Sequence, residues 1–174
     1  MGINIWLGVQ ILKLINFLNT LAVHRNQMIT TLLQTLPDYT TAFIRIIAGI
    51  IIFPYGMQKI FGWFDGPGLK VALAQLEERK IPVLVSWLII AGQSLGSIAL
   101  ITGFLGRFAA GGLFIIFTAA MITHMPDGWM MNWFNKKKGE GIEYFVMLLA
   151  MLLIVVINGS GAFSIDLLLL PKLQ

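Results

Sequence analysis

The chain contains no cysteine. That excludes disulfides, iron–sulfur clusters, thiolate-ligated haem and nucleophilic thiols within it. Charged residues are also scarce, at 11% of 174 residues against 57% hydrophobic ones. Soluble domains carry about 25% charged residues, so a water-soluble core does not account for this composition. Histidine occurs twice, at His24 and His124. No carboxylate–histidine cluster has metal-ligand spacing, so no metal is expected. The net charge of +4 reads as Lys and Arg placed beside lipid headgroups, with no nucleic acid as partner.

What is present is apolar sequence in long runs. Residues 42–64, 82–105, 107–125 and 141–158 qualify as spans, because about 20 apolar residues cross the ~30 Å hydrocarbon core of a bilayer. In lipid every backbone N–H and C=O must be satisfied, and helices do this within one segment. The expected fold is therefore an all-α membrane protein, a four-transmembrane-helix bundle occupying residues 40–168. A short tail, residues 169–174, would follow it. Residues 1–36 read as an N-terminal amphipathic helix lying in the interface, with Gln10, Lys13, Asn16, Thr20 and His24 loosely on one side. No basic stretch precedes this apolar segment, which argues against a cleaved signal peptide. Its length also admits a fifth span.

Along the first span, Arg45, Gly49, Ile52, Gly56, Lys59 and Trp63 recur at helical spacing and share one face. Ionisable groups inside membranes are costly and usually face a partner or a cavity, so the stripe reads first as the intramolecular seam of the bundle and second as a candidate functional site. Four spans place both termini on one side of the membrane. That side holds Arg45, Arg107 and Asp166. The opposite side holds Lys59, His124, Glu143 and the lysine run Lys136, Lys137 and Lys138. It also carries seven of the twelve Lys and Arg residues, and by the positive-inside bias it leans cytoplasmic.

This arrangement makes an ion pair between Lys59 and Glu143 geometrically feasible, with His124 at similar depth. The alternative is that Lys59 snorkels to the headgroups. At the other side, Arg45 and Asp166 form a second candidate pair. Gln93 lies ten residues into the second span, about 15 Å deep at 1.5 Å per residue, on one face with Ser86 and Ser97. These polar groups either hydrogen-bond across helices or meet a substrate. Gly92 and Gly96 have the small-residue packing spacing, and with Gly49 and Gly56 they mark close helix approach. Trp63, Trp129 and Trp133 suit an aromatic belt. The two histidines fall on opposite sides of the membrane, which disfavours paired haem ligation within one chain.

Several motifs resemble the DoxX family of small four-helix membrane proteins. They are Arg45-x-x-x-Gly49…Gly56-x-x-Lys59-x-x-x-Trp63, Gly103-Phe104-Leu105-Gly106-Arg107, and His124-x-Pro126-x-Gly128-Trp129-x-x-Asn132-Trp133-Phe134. Gly139-Glu140-Gly141-Ile142-Glu143-Tyr144 and the closing Gly159-x-Gly161-x-x-Ser164-x-Asp166 complete the set. The resemblance implies a prokaryotic inner-membrane protein, a small subunit of a redox-linked membrane complex. It docks on other subunits or on itself through its glycine-bearing faces. The chain itself would carry no cofactor, although a quinone or lipid could bind. A quinone-linked oxidoreductase and a small-solute transporter using Gln93 are the alternatives. Many relatives carry Glu at the position of Gln93 and often His at the position of Phe145. Both departures remove titratable groups from the spans and shift weight toward a packing or scaffolding role.

Overall fold

The computed structural model describes residues 13, 15–21, 23, 24, 27, 37–132 and 139–173. Most of the expected N-terminal interfacial helix, together with Trp133 and Lys136 to Lys138, lies outside these residues. Those described between 13 and 27 are helical and exposed.

Helix α1 (Tyr39–Phe61) begins at Asp38. The Asp38 carboxylate accepts hydrogen bonds from the Thr40 N–H at 3.2 Å and the Thr41 N–H at 2.7 Å. It also accepts from the Thr41 hydroxyl at 2.5 Å. These bonds satisfy donors that the start of a helix leaves open. They also hold the carboxyl below its ordinary pKa, with the Thr41 hydroxyl contributing most. At the other end Gly62 takes a left-handed conformation, φ 71°, and stops the helix. Trp63 therefore leaves the stripe and stacks on Phe61 at 5.2 Å between centroids.

Between α1 and the next expected span lies helix α2 (Gly68–Glu78), which is not among the four expected spans. Helices α3 (Val83–Thr102) and α4 (Gly106–His124) follow, then a 3-10 turn (Met125–Asp127), α5 (Glu143–Asn158) and α6 (Ile165–Leu173). Helix α6 runs through position 168, where the sequence suggested that the domain ends. Helix α1 packs on α3, α3 on α4, α4 on α5, and α5 returns to α1, while α2 lies against α1 and α3. Ala48, Ile52, Leu100, Leu113, Phe117 and Leu152 fill the centre.

Among the described residues, three helices are long and apolar enough to cross a membrane: α1, α3 and α4 continued to Asp127. At the expected fourth span stands a shorter apolar helix of 16 residues, α5, about 24 Å at 1.5 Å per residue. Outward-facing Leu84, Leu95, Phe108, Ile115 and Ile157 are all exposed. An apolar outer surface of this kind suits lipid and not water.

The packing glycines are consumed inside the bundle. A Cβ on Gly56 would sit 2.7 Å from Ser94 Cα, and one on Gly49 would sit 3.0 Å from the Ile101 backbone nitrogen. Both belong to the α1–α3 contact. Gly92 and Gly96 instead face Ile116 and Leu113 of α4. Docking onto other subunits through these faces is therefore corrected: they are already occupied by the chain's own helices.

Candidate functional site

The six residues expected to carry polar chemistry separate into two clusters at opposite ends of the bundle. At one end Arg45 is fully buried. Its guanidinium donates from Nε to the Ser160 carbonyl at 2.6 Å and from Nη1 to the carbonyls of Leu100 and Ile101. Nη2 donates to the carbonyls of Ala162 and Phe163 at 3.4 and 3.2 Å. Leu100 and Ile101 lie in the last turn of α3, where carbonyls lack helical partners. Asp166, also buried, accepts from the Leu105 and Gly106 N–H groups at 2.7 and 2.9 Å. It thereby caps the start of α4.

The expected Arg45–Asp166 ion pair is thus corrected. Each charge serves backbone at a helix terminus, and no ion pair among the described residues joins the two. The closing glycine–serine–aspartate motif has a structural reading throughout. Gly161 has φ 73°, and a Cβ there would meet the Ala42 nitrogen at 2.6 Å. The Ser164 hydroxyl accepts from the Leu167 N–H at 3.2 Å, which caps α6.

At the opposite end, Lys59 of α1 and Gln93 of α3 meet. Lys59 Nζ donates to Gln93 Oε1 at 2.5 Å. The expected Lys59–Glu143 pair is corrected: Glu143 Oε2 accepts from the Met131 N–H at 3.3 Å, because Glu143 opens α5 beside the loop backbone. Serines on the α3 face turn inward on their own helix. The hydroxyls of Ser86, Ser94 and Ser97 donate to the carbonyls of Pro82, Ile90 and Ser94, the usual local bond of helical serine. They do not bridge helices, so Gln93 alone of that line reaches another helix by a side-chain bond.

Lys59 and Gln93 line a cavity of ≈ 380 Å³. The lining also includes the polar Tyr55, Arg79, Thr123, His124, Glu140 and Tyr144, and the apolar Leu76, Ile89, Ile116, Phe117, Ala120 and Phe145. His124 is paired with Asp127 at 2.9 Å and stacks on Phe145, with centroids 5.4 Å apart. Glu140 Oε2 accepts from the Asn132 N–H at 3.3 Å. The Tyr144 hydroxyl is buried with no hydrogen bond of good geometry among the described residues. Its ring lies 5.9 Å from that of Tyr55.

Three of the four residues expected at this end (Lys59, Gln93 and His124) therefore line one cavity, and Glu143 does not. Sequence reasoning missed Tyr144, Tyr55 and Arg79. Tyr144 stood only as the last residue of the Gly139–Tyr144 motif, Tyr55 belonged to no motif, and Arg79 is placed by the end of helix α2. Among the described residues, no group of three His, Cys, Asp or Glu side chains is placed to hold a metal ion.

The family model DoxX matches residues 40–126, half of the chain. The chain belongs to the DoxX family. It is a membrane protein of DoxX type, built on several apolar helices. The matched region contains Arg45, Lys59, Gln93 and His124, and it stops before the closing motif with Asp166. No curated protein and no solved structure matches the chain.

Proposed function

We propose that this DoxX protein is a small accessory subunit of a membrane-bound, redox-linked complex in a prokaryotic cell membrane. Its own task is to hold an amphipathic ligand, a quinone or a lipid, beside Lys59. The observation that carries this reading is the cavity. Ligand sites typically measure about 300–1,000 Å³ and combine apolar walls with a few placed polar groups. The cavity lined by Lys59, Gln93 and Tyr144 together with Ile116, Phe117 and Phe145 has this character.

In this reading α5 is the fourth span. It connects the Met131 end of the bundle to the Arg45 end, since the Glu143 N–H donates to the Trp129 carbonyl and Asn158 reaches Thr41. The N-terminal segment lies in the interface. Contacts to other subunits use the outward apolar faces, because the glycine faces are closed.

Purification in mild detergent, followed by crosslinking in native membranes, tests the subunit role. Recovery of defined larger species is expected. A strictly solitary monomer overturns it. A second reading, a quinone-linked oxidoreductase, is favoured by the donors Lys59 and Tyr144, which suit a quinone carbonyl. Solvent extraction of the purified protein should then yield quinone, and an extract without quinone removes this second reading.

A further inference from the structure

We propose that the Lys59 cavity selects amphiphiles with an anionic oxygen head group, a carboxylate or a phosphate on an alkyl chain. The proposal rests on the ligand-binding part of the reading above and not on membership of a complex.

The charge balance at the polar end carries the argument. Lys59 Nζ has three hydrogens to donate, and Gln93 Oε1 takes one. Gln93 is neutral, so it orients the ammonium without compensating its charge. Among the described residues no carboxylate lies within 4.0 Å of Lys59; the ion pair found there is His124 with Asp127. Glu140, which lines the cavity, and Glu143 accept from the backbone N–H groups of Asn132 and Met131. Arg79 adds a second cation at the rim.

Tyr144 supplies the next element. Its hydroxyl is buried with no hydrogen bond of good geometry, Tyr55 being the polar side chain that interacts with it, and buried polar groups so poorly paired are uncommon enough to require an explanation. A hydroxyl and an ammonium lining one cavity can both donate, so an acceptor-rich head complements them. A neutral carbonyl would take one hydrogen bond from each but leave the ammonium uncompensated in a low-dielectric site. An anionic oxygen head accepts from both and neutralises the charge, as charge-assisted bonds do. The apolar lining of Ile89, Ile116, Phe117 and Phe145 then receives the alkyl chain.

The test uses the full chain in a neutral detergent. Radiolabelled palmitate and lysophosphatidate are titrated separately, with hexadecanol and decylubiquinone as uncharged competitors. Saturable binding of at least one anion is expected, and the stronger of the two identifies a carboxylate or a phosphate source. Hexadecanol and decylubiquinone should fail to displace it at equal concentration. Lys59→Gln should weaken binding about tenfold or more, because it removes a charge-assisted contact. Gln93→Glu should do the same, because its carboxylate takes the ammonium internally. Tyr144→Phe should weaken binding several-fold. If Lys59→Gln fails to fold, Gln93→Glu and Tyr144→Phe decide the matter.

The proposal is overturned if neither anion binds saturably, if hexadecanol competes as well as palmitate, or if the folded variants bind like the parent. Displacement by decylubiquinone alone overturns it and leaves a quinone site standing. A solitary monomer that binds palmitate overturns the subunit role and leaves this proposal standing.

Discussion

Arg45 and Asp166 are joined through Ser160 and not to each other. Arg45 Nε donates to the Ser160 carbonyl at 2.6 Å, and the Ser160 hydroxyl donates to Asp166 at 2.5 Å. The two charges thus fasten the ends of α1, α3, α4 and α5 at one point. Asp166→Ala strands two N–H groups at the start of α4, and Arg45→Leu strands carbonyls at the end of α3. Each change should destabilise the protein by about 3 kcal/mol, read by thermal unfolding in detergent. Because Ser160 links the two residues in one hydrogen-bond network, the double variant should show a coupling of about 0.5–3 kcal/mol. Strictly additive losses would contradict the shared junction.

The glycines should differ in a predictable order. A Cβ on Gly56 meets the Ser94 backbone at 2.7–2.8 Å, whereas one on Gly92 meets only Ile116 Cδ1 at 2.6 Å. Backbone cannot yield without moving α3, but the end of an isoleucine can rotate. Gly56→Ala should therefore cost about 1–3 kcal/mol, and Gly92→Ala less than about 1 kcal/mol. Unfolding in detergent ranks the two. Equal losses would contradict the tight α1–α3 contact.

Much of this was legible in the sequence, and the errors have physical causes. The stripe from Arg45 to Lys59 does face α3, because 3.6-residue periodicity survives in any straight helix. The turn through Gly103 was legible from its two flanking glycines. The partners of the charges were not. Sequence displays formal charges, so Arg45 was matched with Asp166 and Lys59 with Glu143. It does not display the backbone carbonyls and N–H groups that helix termini and loops leave open, and those groups took Arg45, Asp166 and Glu143. Tyr144 stood only as the last residue of a motif, with no role attached. Only the fold shows that its hydroxyl is buried and that it lines a cavity with Lys59 and Gln93.

Acid should loosen the start of α1. Hydrogen bonds from Thr41, the hydroxyl foremost, hold the Asp38 carboxyl below its ordinary value of 3.8. A pKa depressed in the folded state gives stability that is present above the unfolded value and lost as pH falls through the folded one. Melting temperature should therefore drop on acidification below 3.8, and Asp38→Asn should lack this part of the drop. An identical acid profile in both proteins would place the sensitivity elsewhere.

The absence of cysteine makes the membrane crossing of α5 directly testable, because every single-cysteine variant reports one position. Phe163 is 77% exposed and Phe104 45% exposed at the Arg45 end of the bundle; Met130 is 62% exposed at the Lys59 end. Helix α5 runs between these ends over about 24 Å, short of the ~30 Å core. The loop flanking it and the turn Gly159 to Ser164 would have to supply the remaining depth, or the bilayer would thin locally, which costs fractions of a kcal/mol per Å. If α5 crosses, a membrane-impermeant maleimide should label Phe163→Cys and Phe104→Cys from one face. Met130→Cys should be labelled from the other. Intact cells and inverted vesicles give the two faces. Labelling of Phe163→Cys together with Met130→Cys would show that α5 enters and returns on one side. The Arg45–Ser160–Asp166 junction argues against that outcome, because it ties the end of α5 to the α3–α4 turn at the far end of the bundle.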